Sequence, residues 1–117
     1  MKPTPKETSS AKFQAYEVAL EMNRHLAKLV AKIRTKNPSL ATQIEKAGPS
    51  VPLNLREGRR RIGKDRMHLW RIAAGSADEI HGCLQVAEAW GYVTFDEIQE
   101  TLALADRVLA MTYRMTH

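Results

Sequence analysis

The sequence is poor in cysteine, in long apolar runs and, after residue 71, in positive charge, and each shortage closes off a class of protein. The single cysteine, Cys83, excludes an internal disulfide, and no Cys/His spacing of the zinc-binding kinds occurs. A reducing, cytoplasmic setting is the expectation. No apolar run approaches the roughly 20 residues that a bilayer crossing needs. The opening MKPTPKETSS has lysines with no apolar stretch behind them, so neither a membrane span nor a secretory leader is expected. There is no glycine-rich phosphate loop and no Glu-x-x-His pair of the kind that holds two metals in helical bundles. His25, His68, His81 and His117 are scattered, and Glu21 with His25 reads as a surface pair on one helix face. No cofactor, no metal and no catalytic residue are expected.

What is present is a foldable chain of 117 residues, 44% hydrophobic and 26% charged, the size and balance of one globular domain. Its net charge of +5 is unevenly spread. Residues 1–71 hold 16 Lys/Arg against 6 Asp/Glu, and residues 72–117 hold 2 against 7. Such a split suits either a basic face for polyanions or complementary surfaces that pair copies of the chain.

The apolar residues recur at steps of three and four in four segments. Residues 11–35 carry Phe13, Tyr16, Leu20, Asn23, Leu26 or Ala27, Val30 and Ile33, with Ser9 or Ser10 as a cap. Asn37 and Pro38 suit a cap and first position, because proline lacks only an amide that would be unpaired there. The second stripe is Leu40, Ile44, Ala47, Val51, Leu55, Gly58 and Ile62, whose phase survives Pro49 and Pro52 and so predicts a kinked helix, with Gly48 absorbing the bend. Gly63 turns the chain into a third helix reaching Trp90, with Met67, Trp70, Ala73 or Ala74, Ala77, Ile80, Leu84 and Ala87 inward. Gly91 stops it. Thr94 and Glu97 form a capping box with a Val93–Ile98 staple, opening a fourth stripe of Phe95, Ile98, Leu102, Ala105, Val108 or Leu109, Thr112 and Met115. Four helices on short turns predict an all-α, antiparallel up-down-up-down four-helix bundle over residues 11–117, behind a frayed or disordered N-terminus at residues 1–10.

Two strings, AGPSVPLNLREGRRR and LWRIAAGSADEI, together with FQAYEVALEM in helix one, resemble the bacterial four helix bundle protein family. It is also called the ribosomal-RNA intervening-sequence protein family and includes the accessory variability proteins of diversity-generating retroelements. Ser50, Val51, Pro52, Asn54, Glu57 and Gly58 match one family element, and Gly75, Ser76 and Glu79 match the other. Arg56 stands where a small residue is usual, and Pro49 is an added proline. The resemblance covers residues 12 to 112. It implies a cytoplasmic homo-oligomer, typically a ring-shaped homopentamer, and in the retroelement branch binding to nucleic acid and to a reverse transcriptase. It implies no enzymatic activity.

Within these elements, Ser50, Asn54 and Glu57 lie on one line of helix two. A turn at Gly63 would bring position 54 near 73 or 74 and position 50 near 76 to 78, so the two elements should meet as a structural network, with Arg71 opposite Glu57. Arg56, Arg59, Arg60, Arg61, Lys64, Arg66 and Arg71 form the densest basic cluster, and the first six are the candidate nucleic-acid contacts, since arginine's planar fork pairs with two phosphate oxygens at once. A solvated helix end is the plainer account of the same cluster. Trp70 is expected in the core, and Trp90 and Tyr92 at an interface. Two functions remain open: an oligomeric bundle binding RNA or DNA in a larger complex, or a protein-interaction scaffold that binds no nucleic acid.

Overall fold

The computed structural model describes residues 10–117, with side chains from residue 14, so the expected frayed segment, the Ser9 cap and the Phe13 side chain lie outside the described residues. Four helices follow one another: α1 (Ser10–Arg34), α2 (Pro38–Arg59), α3 (Gly63–Ala89) and α4 (Phe95–Thr116), with no strand among the described residues. Each packs on two neighbours, in the cycle α1–α2–α3–α4–α1. The pairings across each seam run in opposite senses. Asn23 meets Gly48 while Arg34 meets Glu45; Ser50 meets Ser76 while Leu55 meets Trp70; His81 meets Asp106 while Arg71 meets Thr116; His25 meets Glu100 while Lys32 meets Glu97. The bundle is therefore up-down-up-down, the arrangement that short turns dictate.

The ends are where local chemistry speaks most directly. Asn37 Oδ1 accepts from the Leu40 amide at 3.0 Å, with Pro38 as the first helical residue. Thr94 and Glu97 make the reciprocal capping box, and Val93 and Ile98 are both buried. After α3, Gly91 takes φ +74, its amide reaches the Glu88 carbonyl at 2.9 Å, and Tyr92 reaches back to Ala87 at 2.9 Å. That is the Schellman arrangement, and it needs a residue without a Cβ at position 91.

Two expected core positions are exposed. Ile62 is 82% exposed, because α2 ends at Arg59 and Ile62 lies extended before Gly63, whose φ of +59 turns the chain. Phe95 is 55% exposed, while Val93, from before the cap, is buried as Ile98 is. Of the alternatives Leu26 and Ala27 it is Leu26 that is buried, and Tyr16, Leu20 and Asn23 are half-buried. The inner face of α1 holds the expected Leu26, Val30 and Ile33 and adds Ala15, Val18, Ala19, Met22 and Leu29. Alanines pack where α1 comes close to its neighbours, and a reading weighted toward large side chains passes over them.

Helix α2 runs unbroken through both prolines. Pro52 offers no amide to the carbonyl of Gly48, four residues earlier, and Gly48 is buried. Asn23 of α1 supplies the missing donor: its Nδ2 sits 3.0 Å from the Gly48 oxygen and 2.8 Å from the Ala19 oxygen. A Cβ on Gly48 would lie 2.9 Å from Asn23 Oδ1 and 3.3 Å from Leu26 Cδ1, so the glycine lets the two helices approach closely enough for that bond. Pro49 faces outward, where water can serve the carbonyl it leaves.

Asn23→Ala is expected to destabilise the fold by about 1–3 kcal/mol, the cost of an unsatisfied buried carbonyl, measured by urea unfolding. In a Pro52→Ala background, where residue 52 regains its amide, the same substitution should cost clearly less. Equal costs in both backgrounds would show that Asn23 does not serve the Pro52 gap. A second expectation concerns acid. Lys32 first, then the Thr94 amide, holds the Glu97 carboxyl below its ordinary 4.5. A carboxylate with a lowered folded pKa adds stability that is present above its unfolded pKa and is lost as pH falls through the folded one. Stability should therefore decline as pH drops below about 4.5, and Glu97→Gln should flatten that decline in thermal melts across pH 2 to 6.

Candidate nucleic-acid interface

The two signature elements meet across the α2–α3 seam, though through fewer residues than their spacing suggests. Ser50 Oγ and Ser76 Oγ lie 2.9 Å apart, and Asn54 Nδ2 donates to the Ser50 carbonyl at 2.8 Å and to Ser50 Oγ at 3.1 Å. Asn54 thus orients Ser50 from within α2, and within this trio it is the Ser50 hydroxyl that reaches across to Ser76. Glu57 does not cross. Its Oε1 accepts from Arg61, one turn further along, at 2.8 Å. Arg71, expected opposite Glu57, instead donates to the Thr116 carbonyl of α4 at 3.4 Å. The register explains it: with Leu55 against Trp70, position 57 falls nearer 67 and 68 than 71. Glu79 does reach α2, accepting from Gln43 Nε2 at 3.2 Å.

Gly58 has the clearest role. Trp70 is 2% exposed and donates Nε1–H to the Leu55 carbonyl at 3.1 Å. A Cβ on Gly58 would lie 2.6 Å from both Cδ1 and Nε1 of that ring. The glycine is the notch into which the indole fits. Gly75 is the exception among the signature residues, since a Cβ there would meet nothing within 4 Å and the position is exposed. The small residues that do pack inward in this stretch are the buried Ala73 and Ala77.

The six candidate cations gather at one end of the bundle, around the α2–α3 turn, but they do different things there. Arg66 lies inside the structure's own bonding: Nε donates to the Gly58 carbonyl at 3.2 Å and Nη2 to the Arg59 carbonyl at 3.1 Å, with the guanidinium 5.3 Å above the Trp70 ring. It satisfies the end of α2 from the first turn of α3, where a cation also meets the negative end of the helix dipole. Arg56 lies 5.7 Å over the Tyr16 ring and covers the α1–α2 seam. Arg61 is held by Glu57. Arg60 and Lys64 are exposed, and Arg59 is half-buried.

Next to them is a recess of ≈ 570 Å³ lined by Gly63, Lys64, Met67, His68 and Arg71. Lys64, His68 and Arg71 stand at steps of four and three on one face of α3. That spacing is visible in the sequence as one helical face. No group of three or more His, Cys, Asp or Glu able to hold a metal occurs among the described residues. Burial, then the nearby Glu79, pushes the Cys83 thiol up, so its reactive thiolate is disfavoured. Among the described residues the rings at this cluster are Trp70, which is buried, and Tyr16, half-buried beneath Arg56, so neither presents a bare face for stacking.

Gly58→Ala is expected to destabilise by about 1–3 kcal/mol through overpacking against Trp70, read in denaturant midpoints. Restoration by Trp70→Phe in the same chain would locate the clash at the indole.

No curated protein matches this sequence. A Bacteroides thetaiotaomicron protein of unknown function from the S23 ribosomal protein family superposes with a TM-score of 0.80 over 87% of this chain and 97% of its own, at 17% identity, which establishes a shared fold. The profile of the 23S rRNA-intervening sequence proteins matches residues 11–114, nearly the whole bundle including both signature elements, and the chain belongs to that family.

Proposed function

We propose that this protein is a non-enzymatic homo-oligomer that binds RNA or DNA through backbone phosphates at the α2–α3 end of its bundle, as part of a larger cytoplasmic complex. The observation that carries the reading is the crowding of Arg59, Arg60, Lys64, His68 and Arg71 around one turn, beside an open recess. Cations so placed release counterions when they meet phosphate, which makes binding strong at low salt and indifferent to base sequence. The family's name, which refers to an intervening sequence in 23S rRNA, favours RNA. The homopentamer and the reverse transcriptase partner implied by the resemblance belong to the same proposal. The rival reading, a scaffold that touches no nucleic acid, is favoured by one observation: Trp90 and Tyr92 stack at 6.4 Å at the far end of α3, with Trp90 72% exposed, a place suited to protein contact.

Binding of RNA, single-stranded DNA and duplex DNA across a salt series tests the proposal. Replacing Arg59, Arg60 and Lys64 together with alanine should weaken duplex binding and lower the salt slope by about 2–3. Arg66→Ala should chiefly lower thermal stability, since its donors are committed to α2. Absence of binding by the unaltered protein at low salt would sink the reading, and an unchanged salt slope in the triple variant would move the contact off this end.

A further inference from the structure

Helix α3 has an outer face that no other helix of the protomer packs over, with Gln43 of α2 reaching only Glu79 at its edge. Ile72, Gly75, Glu79, Gly82, Val86 and Trp90 follow at steps of three and four, and all are exposed except the half-buried Gly82. A Cβ at Gly75 or Gly82 would meet nothing within 4 Å, so neither glycine makes room for anything inside the protomer. Glycine in a helix interior is destabilising relative to alanine. Two of them, seven residues apart, leave a trough of two side-chain gaps with Glu79 between them and Ile72 and Val86 at its ends.

The charge on this face selects what can cover it. From Ile72 to Trp90 there is no Lys or Arg, and Glu79 is the charged residue on this face, Asp78 and Glu88 lying on other sides of the helix. Two copies meeting by the same α3 face would oppose carboxylates with no cation to offset them, which is destabilising. The outer face of α2 is the complement. Lys46, Pro49, Leu53, Arg56 and Arg60 also recur at steps of three and four, with Leu53 63% exposed at the centre. The acids beside that stripe, Glu45 and Glu57, are already engaged by Arg34 and Arg61.

We propose that the α3 trough of one copy receives the α2 ridge of a second, with Leu53 seated between Gly75 and Gly82 and the Lys46 and Arg56 side facing Glu79. The proposal rests on the homo-oligomer part of the reading above and names its contact surface. Such a contact joins two different faces, so each copy retains one free face of each kind and association proceeds beyond two subunits.

Light scattering of the unaltered protein, without nucleic acid, should give a species larger than a dimer that weakens with salt. Gly75→Ala with Gly82→Ala should raise the melting temperature of dilute protein by about 4 °C or more while weakening association at least tenfold. Gly75→Leu with Gly82→Leu blocks the trough, and Leu53→Asp blocks the ridge. Each variant alone should be monomeric, and an equal mixture should form heterodimers, because one intact pair of faces remains between them. Monomeric unaltered protein at high concentration overturns both this contact and the oligomeric reading. Assembly unaffected by the blocking substitutions, or failure of the two monomeric variants to pair, overturns this contact while leaving assembly through another face intact. Retention of nucleic-acid binding by the monomeric variants would separate the two properties.

Discussion

A proline inside a buried helix leaves a carbonyl that must find its donor elsewhere, and in this bundle the donor comes from the neighbouring helix. Asn23 reaches the Gly48 oxygen only because Gly48 carries no side chain, so the spacing of α1 and α2 is set at that point by a polar bond as well as by packing. The rest of α2 follows from the position this gives it. Its next turn presents Ser50 to Ser76, and two turns on it presents the Gly58 notch to Trp70. An all-apolar seam could slide by a turn at little cost. Here a slide would break a buried amide bond, a serine pair and an indole bond together, which confines the helices to one register.

The helix ends were legible because their determinants are local: a short polar side chain before a helix, a glycine after it, a proline at its first turn. Asn37, Pro38, Thr94, Glu97, Gly63 and Gly91 act where their chemistry places them. The burial of Trp70 and the antiparallel meeting of the two signature strings were legible for a similar reason, since a short turn sets the register. What escaped depends on atoms far along the chain. Nothing near Asn23 announces that a carbonyl 25 residues away lacks a donor. Nothing in the run of arginines distinguishes Arg66, which satisfies carbonyls of α2, from Arg60, which faces water. The outward position of Ile62 depends on where α2 stops, and a hydrophobic stripe does not mark its own end.

The basic cluster is therefore not a uniform patch. Part of its charge stabilises the protomer by covering Tyr16, pairing with Glu57 and closing the end of α2, while Arg60 and Lys64 face solvent. The cations that close the α2–α3 junction are thereby tied to helix ends and a neighbouring ring rather than carried on free side chains.

The Arg66 contact also bears on the order in which the chain can be completed during synthesis. The last carbonyls of α2 and the Gly58 notch are filled by residues 66 and 70, so α2 stays unfinished at its C-terminal end until the start of α3 has left the ribosome. Through residue 71 the chain carries 16 of its 18 Lys/Arg but only 6 of its 13 Asp/Glu. The nascent protein thus passes through a stage more cationic than the finished one, in close proximity to ribosomal RNA.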